Sequence, residues 1–192
     1  MTKFKTYLVA AVAVACLAQP AFAADTFEID PSHTAVVFFV NHLGYSETIG
    51  RFNDVSGSFD LDQDNPENSK IALVIDAASV DTNHEARDDH LRSPDFLNVE
   101  EFPEIKFTST AVEQTGDNTA KVTGDMTILG ATKPVTLDVT LNKLEPNPMS
   151  GVETAGLSAR GQLDRTEFGM TFGQGGIGSV LDLFIEVEGT KK

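Results

Sequence analysis

The sequence offers few side chains suited to chemistry, and their spacing argues against most of them. Its histidines are His33, His42, His84 and His90. On a helix, His84 and His90 fall on opposite sides rather than at the i, i+4 spacing of a metal-binding pair. Asp88 and Asp89 would add oxygen ligands, yet ion pairing with Arg87 and Arg92 accounts for them more simply. Asp30, Ser32 and His33 have the residue types of a hydrolytic trio. They lack a G-x-S-x-G elbow and its strand–turn–helix surroundings. Glu100-Glu101 and Asp88-Asp89 are adjacent carboxylates, which point apart in a strand and do not face each other on a helix. Gly173-Gln174-Gly175-Gly176-Ile177-Gly178 matches the dinucleotide pattern in letters only. Ser179 to Val187 alternate as a strand, so no helix N-terminus follows to face a phosphate, and a flexible strand connection is expected. Asp164-Arg165-Thr166-Glu167-Phe168-Gly169-Met170 reads as a salt-bridged turn. These patterns predict no catalytic residue, no metal ligand and no required cofactor.

Alternation is what the sequence has in abundance. Val36, Phe38, Val40 and His42 share one parity, as do Val55, Gly57, Phe59 and Leu61. Further runs centre on Leu73 and Ile75, on Ile105 and Phe107, and on Met126 and Ile128. Val135 to Leu141, Leu157 to Leu163 and Leu181 to Val187 complete the series. Period two over such lengths is the mark of half-buried strands. Between them stand turn signals such as Asp64-Asn65-Pro66, Thr115-Gly116-Asp117-Asn118 and Pro146-Asn147-Pro148. About eight strands with hairpin-length connections predict an all-β fold, an antiparallel barrel or sandwich. Closure into a barrel is preferred because it removes exposed edges. One segment differs. Thr82-Asn83-His84-Glu85 has the form of a capping box, which predicts a short helix over about 83–92 with Thr82 as N-cap. Almost entirely polar, that helix cannot belong to a core. With Leu91, Phe96 and Leu97 it is expected to cover a barrel mouth.

The chain has 192 residues, 29 Asp+Glu, 14 Lys+Arg and a net charge of −15. Such acidity argues against nucleic acid and anionic membrane surfaces as partners. Residues 1–23 read as a signal peptide: Lys3 and Lys5, an apolar run from Tyr7 to Leu17, then Ala21-Phe22-Ala23. The run is too short to span a bilayer, so no stable membrane insertion is expected. Residues 24–192 then form one domain. Cleavage removes Cys16, the sole cysteine, and leaves no disulfide to stabilise the exported protein.

Several strings together are more specific than the alternation. Asn41-His42-Leu43-Gly44-Tyr45-Ser46 and Ser79 to Asn98, with its His84-Glu85-Ala86-Arg87-Asp88-Asp89-His90-Leu91 centre, resemble the YceI-like family. Phe107-Thr108-Ser109-Thr110, Thr132-Lys133-Pro134-Val135 and Glu186-Val187-Glu188-Gly189 resemble it too. The likeness implies a periplasmic, lipocalin-like barrel whose long interior holds a polyprenyl lipid or an isoprenoid quinone, with no catalytic role. Its ligand would then be a long-chain isoprenoid lipid. An enzyme acting on that lipid at the mouth through His42 or His90, and a structural stress protein, are the alternatives. The oligomeric state stays open, with a homodimer as one candidate.

Strand parity assigns the lining. Val36, Phe38, Val40 and His42 are expected to face inward from one strand. Phe59, Leu73, Ile75 and Phe107 follow from the next three, and Met126, Ile128 and Ile185 from later ones. Leu91 and Phe96 are placed at the mouth, and Met170, like Met126, is expected as an adaptable residue of the interior. Strands of about eight residues, tilted by about 40°, would enclose a lumen about 20 Å long. For the exported protein, intact mass is expected to show cleavage between Ala23 and Ala24; a lipid-modified Cys16 at the N-terminus would contradict it.

Overall fold

The structure, a computed structural model, describes residues 24–192. The expected signal peptide and Cys16 lie outside the described residues. Six strands precede the helix: β1 (Asp25–Ile29), β2 (Ala35–His42), β3 (Ser46–Phe52), β4 (Val55–Leu61), β5 (Lys70–Asp76) and β6 (Val80–Asp81). After α1 (Glu85–Arg92) come β7 (Glu104–Gln114), β8 (Thr119–Ile128), β9 (Ala131–Pro146), β10 (Glu153–Asp164) and β11 (Ile177–Lys191). Every pairing is antiparallel. The pairs β1/β2, β3/β4 and β5/β6 are each one stave broken by a kink. The 11 strands therefore make eight staves, each beside its neighbour in sequence. The last stave, β11, closes the ring by pairing with β1 (Ile29↔Gly189) and with β2 (Val36↔Ile185). This is the closed antiparallel barrel that the alternation predicts, with the lipocalin-like architecture that the family resemblance implies.

The three kinks keep the ladder satisfied without continuous strands. At the first, Asp30 accepts a bond from the Ser32 amide and starts a 3₁₀ turn over Pro31–His33. At the third, Asp76 does the same for Ala78 before Ala77–Ser79. Between them the Asn53 amide donates to the Ser79 carbonyl (3.1 Å), and the Asp54 amide donates to Ser79 Oγ (3.1 Å). Backbone groups that a kink would orphan thus find partners in the adjoining stave.

The inward face is apolar but does not fill the lumen. Phe38 lies over Gly50 on the paired strand, and Phe107 over Gly124; a Cβ at either glycine would run into the ring. Phe59 stacks on Phe27 (centroids 5.2 Å apart) and lies over Gly189. Gly57 has a different reason: its φ of 141° brings its backbone against the Ala72 carbonyl, a conformation open only to glycine. Strand β3 had no apolar signature because its inward positions are Ser46, Thr48, Gly50 and Phe52, while Ile49 points out and is 56% exposed.

The helix differs from the capping-box expectation. It starts at Glu85, and His84 is the N-cap, its Nδ1 accepting from the Arg87 amide (3.3 Å). Asn83 has φ 59°, so the chain turns there and carries Thr82 away from the capping position. Thr82 instead donates through its amide (2.8 Å) and hydroxyl to the Asp88 carboxylate. Asp88 is the only buried residue of the helix, consistent with a lid rather than a core element. Gly124→Val is expected to lower stability by about 2 kcal/mol through collision with Phe107, as read by urea unfolding. Gly156→Ala, with nothing near its Cβ, should stay within about 0.5 kcal/mol of the parent.

Candidate ligand-binding site

A cavity of about 370 Å³ runs along the barrel axis. Every residue of the expected lining set faces it. Most are buried, Phe59 and Phe107 to 3% exposure, while Val40, Leu91 and Met170 are half-buried nearer the open end. His42 keeps the inward parity of β2 but is exposed at the rim, because the strand ends there at the turn to β3. Leu91, Phe96 and Leu97 also reach the lumen from the helix and the turn after it, where the Leu97 amide bonds the Leu91 carbonyl (2.9 Å).

Three rings meet across the mouth. His90 from α1 packs edge-on against Phe96 and against Phe172 of the β10–β11 connection, each with centroids 5.0 Å apart. Phe96 and Phe172 are themselves 5.2 Å apart, and His90 Nε2 lies 2.9 Å from Asp95. The connection that carries Phe172 is held from within. Arg165, 3% exposed, donates to the carbonyls of Met170 (2.6 Å), Phe172 (3.0 Å), Ile177 (3.1 Å) and Gly178 (2.8 Å). The expected salt-bridged turn is therefore a clasp in which carbonyl dipoles solvate a buried guanidinium. Burial pushes its pKa down, with the Asp164 charge opposing. Gly173 and Gly175 take positive φ in this connection, and β11 rather than a helix follows, so no phosphate cradle forms.

The polarity of the lining is one-sided. Among the described residues its titratable side chains are His42, Arg87, His90 and Arg165, all toward the mouth, and no carboxylate lines it. Arg87 is oriented by Thr82, with Nε donating to the hydroxyl and Nη2 to the carbonyl (both 2.7 Å). Sequence reasoning missed Arg87, Arg165 and Phe172 as cavity residues. Arg165 was hidden in a charged string that read as surface, and only the burial of neighbouring Phe168 could have pointed inward. Among the described residues no group of three or more His, Cys, Asp or Glu converges to hold a metal ion. Asp30, Ser32 and His33 do meet, but as a cap: Ser32 Oγ and His33 Nδ1 both face the Asp30 carboxylate (2.6 and 2.7 Å) on the exterior. A hydrolytic trio needs the two ring nitrogens to bridge acid and nucleophile, and here one nitrogen meets both.

The family model for the YceI-like domain matches residues 27–189. The chain belongs to the YceI-like family. A UPF0312 protein of Pseudomonas putida strain W619 is 43% identical over 190 residues, covering 98% of each chain. Among solved structures, BcnA of Burkholderia cenocepacia superposes with a TM-score of 0.76 at 21% identity, over 83% of this chain and 98% of that one. A domain from Saccharophagus degradans described as polyisoprenoid-binding gives 0.66 at 13% identity, over 86% and 98%. At those identities the two structures support the YceI-like fold and no more.

The exterior cap of this YceI-like barrel gives a pH signature. Bonds from the Ser32 hydroxyl, the His33 ring and the Ser32 amide hold the Asp30 carboxyl down at about 2. Asp30 in turn raises His33 above its usual 6.5. The His33 contribution is present in full below 6.5 and is lost as pH rises through the raised value; that of Asp30 is lost as pH falls through about 2. Both groups are solvated, so the effect on stability is small. NMR titration should show the His33 midpoint above 6.5 and Asp30→Asn returning it toward that value; an unmoved midpoint would remove the pair.

Proposed function

We propose that this YceI-like protein carries or stores one long-chain isoprenoid lipid, of the polyprenyl or isoprenoid-quinone type, and that it does so in the periplasm. The carrying observation is a narrow apolar lumen whose titratable lining consists only of arginines and histidines at one end. A chain lipid matches both parts. Its tail gains by leaving water, about 0.8 kcal/mol per buried CH₂. Its polar end accepts hydrogen bonds and meets donors at the mouth. Arg87 suits that end: Thr82 occupies Nε and Nη2, which leaves Nη1 for a ligand oxygen. A domain of the same fold is described as polyisoprenoid-binding, and that ligand class is the one this lumen fits.

Transport or storage is favoured over catalysis by what the lining offers. Among the described residues Thr48 is its one hydroxyl and no carboxylate lines it; Asp95, which His90 meets at 2.9 Å, stands outside the lumen. The ligand is thus bound noncovalently and released unchanged, with no cofactor required.

Lipid extraction and mass spectrometry of the exported protein test the reading. An isoprenoid lipid is expected at about one per barrel, since an eight-stave lumen is wide enough for one slender ligand. Met126→Asp places a carboxylate in the apolar lumen and should cost several kcal/mol of binding, so the folded variant should purify without lipid. Full retention of lipid by that variant, or conversion of added lipid to a product, would overturn the proposal.

A further inference from the structure

Below the main cavity lies a second chamber of about 200 Å³ at the opposite end of the barrel. The two adjoin. Phe59, Ile71, Val122, Val139 and Leu157, one from each of five staves, line both and form an apolar waist between them. Beyond the waist Leu61, Val112 and Leu141 continue the apolar wall, each only partly buried from within. The β4–β5 and β7–β8 turns make the floor.

Charge separates the two ends. The lower lining includes Asp60, Asp62 and Asp117 and no arginine, lysine or histidine, the reverse of the mouth. Two of its floor residues are already hydrogen-bonded. Asp62, 8% exposed, already accepts from the amides of Asp64 (3.1 Å) and Asn65 (2.8 Å) and from Asn68 Nδ2 (3.2 Å). Asn118 donates to the Leu141 carbonyl (3.2 Å), and its own carbonyl accepts from the Leu141 amide (2.8 Å). An anionic headgroup is repelled there, whereas an apolar chain end meets the apolar wall.

We propose that this lower chamber is a distal chain subsite, which receives the end of a chain threaded through the waist and so sets the length of lipid the barrel holds. The assignment rests on the chain-lipid reading above. It makes length, not headgroup, the property that the floor end selects. Short chains fill the main cavity alone; longer ones gain further apolar contact only by passing the waist.

The test uses farnesol, geranylgeraniol and solanesol as probes, with binding followed by fluorescence competition. In the parent protein affinity should rise along this series. Leu141→Trp fills the lower chamber from β9 and should weaken solanesol by about tenfold or more while leaving farnesol unchanged. Val112→Trp reaches the same chamber from β7 and should reproduce the selective loss if Leu141→Trp does not fold. Retained farnesol binding itself reports an intact main cavity. Solanesol binding unchanged in a folded variant, or an equal loss of all three probes, would overturn the distal subsite. A parent protein that binds none of the three would instead overturn the chain-lipid reading beneath it.

Discussion

The hollow of this barrel depends on where its phenylalanine rings lie. Eight staves enclose a space that ordinary side chains can fill, and Phe38, Phe59 and Phe107 all point into it. Each ring is accommodated over a glycine, Gly50, Gly189 or Gly124, and so lies along the wall rather than across the axis. The pairing protects the glycine backbone with an aromatic face and leaves the centre open. Without those three glycines the same phenylalanines would have to turn inward, and the cavity, the waist and the chamber beyond it would close. An apolar lumen is thus achieved with large side chains rather than with small ones.

Polar groups do two separate things around that lumen. Aspartates at chain breaks hold local geometry: Asp30, Asp76 and Asp164 each accept from an amide two residues on and begin a 3₁₀ turn. Cations near the lumen hold the mouth, Arg165 through four carbonyls and Arg87 through Thr82. The acidic excess of the chain therefore does not reach the main cavity, whose charged lining is arginine at the mouth, while Asp60, Asp62 and Asp117 line the chamber at the opposite end.

Much of this was legible in the sequence, and the exceptions have physical reasons. Strands such as Val36 to Val40 and Leu181 to Val187 were readable because the wall is half-buried, and inward parity named lining residues such as Phe38 and Met126 correctly as facing the cavity. Strand β3 was not, because its inward positions surrender bulk to Phe38 and offer Thr48 and Gly50 instead. The helix was placed but its start was not, since Asn83 in a left-handed conformation breaks the capping box that the letters spell. Arg165 looked like a surface charge because sequence cannot show that four carbonyls from one loop will converge on it. The three kinks were invisible for a related reason: a stave broken and resumed has the pattern of two short strands.

Ring closure through β11 has a consequence for how the molecule forms. Phe27 pairs with Lys191 and Ile29 with Gly189, so the first stave made waits for the last. Hairpins along the meander can zip locally, but the seam joins segments separated by nearly the whole chain, and such long-range contacts make folding slow. Until residues 189–191 pair with 27–29 the ring stays open at this seam, so the lumen exists only once the C-terminal stave is in place.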